Sequence, residues 1–275
     1  MGKQETVIAE GESIKEFFEV RHADAVHLLE LAQSEEQLAE AKALDDLVFG
    51  SHQGITMDEL IEIMNHGAVI LLRDQAESLV GQSQIITSSI PQYPNLAADE
   101  AYNYGTAIHP DFQNQGIAQL LYKGQEKVAL EFGKTRSTLS VRLENGQSVR
   151  GRLKAGYGVT GYNPNYYGPV EAGGARLIME KDHTYGTEVV SPDILANLLA
   201  EGRVLVVDES NIERAIQEDQ TIMGVPITVG DEIDFGAHKL VSKIFSTDKF
   251  IGVGLLKPNE FNLNGTQSLL LLKQK

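Results

Sequence analysis

The segment Ile108-His109-Pro110-Asp111-Phe112-Gln113-Asn114-Gln115-Gly116-Ile117-Ala118-Gln119-Leu120-Leu121 constrains this chain more than any other. Residues 100–108 read as a strand that ends at Ile108. A polar loop follows, and the spacing of Ile117, Leu120, Leu121, Val128 and Phe132 predicts a helix over 116–132. The first turn of such a helix has N–H groups with no intrahelical partner, and the positive end of its dipole lies at the loop. That is an anion site suited to a pyrophosphate. Gly116 lets a phosphate approach the backbone without a Cβ in the way, and Ala118 is small for the same reason or for packing on the strand. Glycine spacing alone also fits an ordinary strand–turn–helix, so the surrounding elements have to decide.

Their order is informative. A strand over 26–31 is followed by a helix starting at Ser34-Glu35-Glu36-Gln37, with Leu38, Ala41, Leu44, Leu47 and Val48 on one face and Gly50 at its end. A shorter helix follows over 56–65. Residues 68–73 and 79–88 read as a strand pair, 139–143 as a strand, 147–155 as a short helix and 175–180 as a strand. The fold class is therefore α/β, with a mixed central sheet flanked by helices. Residues 1–25 form an acidic N-terminal extension in which Ile14, Phe17, Phe18 and Arg21 fit one face of a short helix. The text turns polar over 184–192, which reads as a linker. Residues 193–275 then read as a small β-rich accessory domain, with a short helix over 194–199, another near 211–217, and strands at 225–234 and 250–254.

Composition limits the chemistry. The chain has 275 residues and no cysteine, so disulfides, Cys-ligated zinc, iron–sulfur clusters and a cysteine nucleophile are all excluded. The seven histidines are scattered, and no His pair has i, i+4 metal spacing, so no metal site is expected. A formal charge of −16 argues against a general nucleic-acid binder. The N-terminal segment lacks an apolar signal region, and no run has the length of a membrane span; the expected location is the cytoplasm.

The segment Gln113-x-x-Gly116-x-Ala118 resembles the acetyl-CoA loop of the GCN5-related N-acetyltransferases (GNAT family), and most of all the branch that acetylates protein N-termini. The resemblance runs over about residues 26–183. It includes Val141-Arg142-Leu143-Glu144-Asn145 and Leu153-Lys154-Ala155-Gly156-Tyr157, similar to the family's second cofactor segment, and Asn163-Pro164-Asn165-Tyr166-Tyr167-Gly168-Pro169, similar to its closing hairpin. It implies that Thr106, Ala107 and Ile108 bond the pantetheine arm as an added strand. It implies that Asn114, Gln115, Gly116, Ile117, Ala118 and Gln119, with Gln113 before them, hold the pyrophosphate, and that Asn145 touches the CoA arm. The reaction implied is direct transfer of acetyl from acetyl-CoA to an amine in a ternary complex.

Two positions depart from the family pattern. The Tyr that often follows the Asn by seven residues, placed to protonate the thiolate, is Arg152 here; the Glu that serves as base in the N-terminal-acetylating branch is Ser140. Arg152 is either a surface ion-pair partner or a cation that steadies the thiolate, although a guanidinium is a poor proton donor. Tyr102 and Tyr104 share one face of the cofactor strand by period two. Tyr166 and Tyr167 sit on the hairpin that would cover the acceptor. Tyr102, Tyr104, Arg152 and Tyr167 are therefore the candidate catalytic residues. The alternative reading, motivated by Arg152 and Ser140, is a non-catalytic acyl-CoA sensor.

In the C-terminal region, residues 203–207, the helix near Ala215, Gly230-Asp231-Glu232 and 250–254 resemble the PUA-like RNA-binding domain of pseudouridine synthases and archaeosine transglycosylases. The acid excess argues against carrying RNA binding over. A role in shaping the acceptor cleft or a homodimer interface is the other reading. The expected partner is a small-molecule or peptide amine, with no membrane involved; the acidic surface favours a cationic one.

Overall fold

The computed structural model describes residues 18–22, 25–186, 190, 192–217, 222–230, 232–257 and 267–275. They form two compact units. Unit 1 holds the described residues through Pro94 together with Gly105–Val128; unit 2 holds Asn95–Tyr104 and the described residues from Ala129 onward.

In unit 1, strands β1 (Phe18–His22) and β2 (Ala25–Leu31) pair antiparallel, with Phe18 opposite Leu29. Helices α1 (Glu35–Phe49) and α2 (Met57–His66) follow, then β3 (Gly67–Arg73), paired antiparallel to β2, and β4 (Leu79–Ile86), paired antiparallel to β3. Each helix starts where a hydroxyl replaces the missing acceptor for a first-turn N–H. The Ser34 side chain accepts from Gln37, and Thr56 forms a capping box with Glu59. The apolar stripes, Leu38, Ala41 and Leu44 on α1 and Leu60 and Ile63 on α2, are buried. Strand β5 (Glu100–Ile108) ends in this unit, and α3 (Ala118–Glu131) belongs to it as far as Val128. A Cβ on Gly81 of β4 would stand 3.1 Å from both the Ile108 and the Leu121 side chains, so β4, the end of β5 and α3 pack closely.

Unit 2 contains the first half of β5, then β6 (Arg136–Val141), α4 (Gly146–Lys154), β7 (Gly158–Asn163), β8 (Arg176–Asp182), α5 (Pro192–Ala200), β9 (Leu205–Val206), α6 (Ile212–Gln217), β10 (Ile222–Ile227), α7 (Phe235–Phe245), β11 (Phe250–Leu256) and β12 (Ser268–Gln274). Its strand order is β5-β6-β8-β7-β11-β12-β10-β9. Among its described strands, β5–β6 and β10–β9 pair parallel and the others antiparallel. At the β7–β11 junction Gly252 faces Val159, and an added Cβ there would lie 2.6 Å from the Val159 Cβ. One apolar cluster joins Leu139, Val141, Val159, Leu177 and Met179 to Val225, Val241, Ile244, Leu270 and Leu272. The C-terminal elements thus share a core with β6–β8 inside a single unit.

From β2 to α4 the element order is the one the sequence predicts; β7 (Gly158–Asn163) is an additional strand before the expected β8. Three readings are corrected. Phe18–His22 is a strand, because Phe-Glu-Val-Arg-His alternates and pairs with β2; Ile14 and Phe17 lie outside the described residues. The strand predicted over 225–234 stops at Ile227, because Asp234 caps a helix through the N–H of Ala237. That helix, α7, fills the stretch before β11; Asp231 lies outside the described residues. Among the described residues no helix is long and apolar enough to cross a membrane.

Candidate active site

In unit 1 the strand–loop–helix takes a definite shape. The N–H of His109 donates to Val80 O at 3.0 Å, which holds the end of β5 on β4. A single 3-10 turn, Pro110–Phe112, leads into the loop. Gln113 Nε2 donates to Ile108 O at 3.0 Å and Gln115 Nε2 to Asp111 O at 2.9 Å. The two side chains therefore brace the loop against its own carbonyls. Asn114 (φ 60°) and Gly116 (φ 79°) turn the backbone through left-handed conformations that Asn tolerates and Gly adopts freely. Ile117, Leu120 and Leu121 are buried and anchor the first turn, while Gln113, Asn114, Gln115 and Gly116 are exposed. Gln119 N–H donates to Gly116 O and Leu120 N–H to Ile117 O, a tight start to α3. Ala107 is fully buried, and Thr106, Ile108, Ala118 and Gln119 are half-buried. The loop is thus a braced, exposed backbone arch at the positive end of a long helix, which fits a pyrophosphate.

In unit 2, β5 and β6 run parallel with Tyr102 opposite Thr138, and β6 and β8 run antiparallel with Ser140 opposite Ile178. This register gathers hydroxyls that are far apart in sequence. The Tyr102 phenol is 2.9 Å from Ser140 Oγ and 3.1 Å from the Tyr166 phenol. Tyr102 is 6% exposed, and burial, reinforced by Tyr167 and Tyr166, pushes its phenol far above the ordinary tyrosine range. It stays a proton donor at any physiological pH. The Tyr166 and Tyr167 rings meet edge-on at 4.7 Å, and the Arg176 guanidinium lies 4.8 Å over the Tyr167 ring. The loop carrying the two tyrosines closes where Tyr167 N–H donates to Gly174 O. A Cβ on Gly174 would stand 2.2 Å from Gly168 O, so only glycine fits there.

The remaining predicted residues stand apart from this cluster. Tyr104 is half-buried on β5. Asn145 is exposed and caps α4, its Oδ1 accepting from Ser148 N–H at 3.1 Å. Arg152 is 4% exposed, so it is not a surface ion-pair partner; its guanidinium lies 5.4 Å over the Tyr157 ring, whose phenol accepts from Asn103 Nδ2. The sequence reading treats Ser140 only as a missing base and passes over Arg176. Both become visible only through the β6–β8 register. It also misses the buried chain Tyr162–His238–Glu144, with Tyr162 Oη to His238 Nδ1 at 2.6 Å and His238 Nε2 to Glu144 Oε1 at 2.5 Å. Burial raises the Glu144 pKa, but the His238 bond and charge outweigh it and hold the carboxyl below its usual range; burial moves the Tyr162 phenol up to about 12. Among the described residues no three His, Asp or Glu side chains group to hold a metal.

No curated protein matches the sequence. Among solved structures, the ribosomal-protein-S18-alanine N-acetyltransferase from Escherichia coli is 15% identical, with a TM-score of 0.48 over 60% of this chain and 99% of its own. A GNAT-family acetyltransferase from Listeria monocytogenes gives the same identity, TM-score and coverages. A putative acetyltransferase from Salmonella typhimurium, solved with its cofactor acetyl-CoA, is 14% identical with a TM-score of 0.46, over 58% of this chain and 95% of its own. Residues 35–157 match the family model described as acetyltransferase (GNAT) family, a span that contains both the braced loop and the β5–β6 pair.

Proposed function

We propose that this protein transfers an acetyl group from acetyl-CoA directly to an amine held beside it in a ternary complex. The observation that carries the reading is the braced loop Gln113–Ala118 at the start of α3, an anion cradle within the matched domain. In this reading the backbone of 114–119 binds the pyrophosphate, and Thr106, Ala107 and Ile108 bind the pantetheine amides as an added strand. Asn145 meets the CoA arm from the N-cap of α4. When bound, acetyl-CoA supplies an acyl thioester activated for attack by a neutral amine.

Unit 2 supplies the proton handling. Tyr102 is a neutral O–H donor, kept so by burial, and its bonds to Ser140 and Tyr166 fix its orientation and lead protons away. Tyr102 therefore steadies the leaving thiolate by a hydrogen bond, and the proton that the thiol gains is the one the amine gives up. Tyr104 and Tyr167 line the acceptor side, and Arg152 acts through Tyr157 and Asn103 by keeping β5 in place. Holding the two reactants together supplies a large part of the rate, so a dedicated base in place of Ser140 is not required. The absence of cysteine excludes an acyl-cysteine intermediate and favours direct transfer.

The test pairs a thermal shift with acetyl-CoA against thiol release over an amine panel. The reading expects a shift and thiol release with at least one amine. A shift with no turnover on any amine would favour the sensor reading, and no shift at millimolar acetyl-CoA would refute both.

A further inference from the structure

The hydroxyl cluster of unit 2 contains a cation whose binding edge is left open. Arg176 is half-buried, and its Nη1 donates to Gly173 O and Ala175 O, both at 2.7 Å. Those two bonds, with the Tyr167 ring at 4.8 Å, fix the guanidinium in place. Among the described residues, Nε and Nη2 of Arg176 make no hydrogen bond and no carboxylate makes an ion pair with it. Nε–H and the adjacent Nη2–H form one straight edge of the fork, the edge that meets a carboxylate through two parallel bonds.

The position of this edge is set by the sheet. By period two, Arg176 shares a face of β8 with Ile178, which is opposite Ser140 on β6. Contacts then run Arg176–Tyr167–Tyr166–Tyr102–Ser140. A second cation stands beside it. Arg142 and Arg176 are the next residues beyond the last β6–β8 pair, Val141 opposite Leu177. Arg142 Nε is buried with no hydrogen-bond partner, and its nearest carboxylate, Glu144 at 3.7 Å, is already bonded to His238. Burial, with the nearby charge of Arg142 adding to it, lowers the pKa of Arg176, although Tyr167, Tyr102 and Glu144 act in the opposite sense.

We propose that Arg176 receives a carboxylate carried by the acceptor, so that the substrate of this site is a small amino acid and not a polyamine or other purely cationic amine. This rests on the acetyltransferase reading above and narrows its acceptor. The overall charge of −16 attracts an ammonium and repels a simple carboxylic acid. A zwitterion satisfies both the distant field and the local cation.

The experiment measures equilibrium binding of N-acetyl amino acids and of their C-terminal amides to the full-length protein in the presence of CoA. Acids are expected to bind about 10- to 100-fold more tightly than amides. Arg176→Gln removes the difference and Arg176→Lys restores part of it, because an ammonium keeps the charge without the fork. Equal binding of acid and amide, no binding of either at millimolar concentration, or a preference that survives in Arg176→Gln would each overturn the proposal. Because this readout needs no turnover, an acid preference without thiol release would refute the acetyltransferase reading and leave the carboxylate site standing. Thiol release with equal use of amino acids and their amides would do the reverse.

Discussion

The braced loop of unit 1 and the hydroxyl cluster of unit 2 are built in opposite ways. The loop is local: residues 113–118 are contiguous, their own side chains hold the arch, and its chemistry comes from the backbone and a helix dipole. The cluster is non-local: Tyr102, Ser140, Tyr166 and Arg176 come from three strands and a loop, and only the sheet register brings them together. A backbone site tolerates many side-chain changes and fails when a Cβ or a charge enters it. A side-chain site fails when one hydroxyl is removed and barely notices its neighbours. The two regions should therefore break under different mutations.

The largest effect is expected at Gly116. Gly116→Glu places a Cβ on a left-handed backbone (φ 79°) and a negative charge at the phosphate site, and should lower acetyl-CoA affinity at least about 100-fold, measured by calorimetry. Next is Tyr102→Phe, which leaves the loop untouched. It should cut kcat by about 10²- to 10³-fold with little change in KM for acetyl-CoA. If that variant instead lost cofactor affinity and kept kcat, the division between the two regions would collapse.

Two smaller effects concern the scaffold. Glu144→Gln removes the charge from a buried, His-bonded carboxylate and should cost about 2–4 kcal/mol of stability by urea unfolding, with acetyl-CoA affinity kept. The pH dependence follows with a definite sign. The Glu144 pKa is lowered in the fold, so its contribution is present above the unfolded value near 4.5 and is lost as pH falls through the folded value. Wild type should lose stability more steeply than Glu144→Gln below pH about 4.5. Tyr162 has the opposite sign. Its pKa is raised to about 12, so its contribution is present below the ordinary tyrosine value and fades as pH rises toward about 12. The smallest effect is Asn145→Ala, about 1 kcal/mol from loss of the α4 cap. A drop in acetyl-CoA affinity beyond that loss of stability would assign Asn145 to the cofactor as well.

The contrast also explains what could be read from the sequence. Periodicity and caps gave α1, α2 and α3, and the polar segment opening at Gly116 showed where a phosphate could sit, because each of these depends on near neighbours. Helix α7 carries the same kind of signal, Ala237, Leu240, Val241 and Ile244, but glycines on either side favoured a reading of short strands. The role of Ser140 was invisible for a different reason. Its partner Tyr102 is on another strand, and no local pattern encodes a parallel register. The cation of Arg176 was hidden in the same way, and the overall charge pointed only toward a cationic acceptor, leaving open whether it also carries a carboxylate.

The central claim, that the loop binds the donor while the cluster does the chemistry, is tested most directly by titrating acetyl-CoA into wild type, Gly116→Glu and Tyr102→Phe in one calorimetric series. The account predicts matching affinities for wild type and Tyr102→Phe and no measurable binding for Gly116→Glu. Binding by Gly116→Glu at wild-type affinity would contradict it.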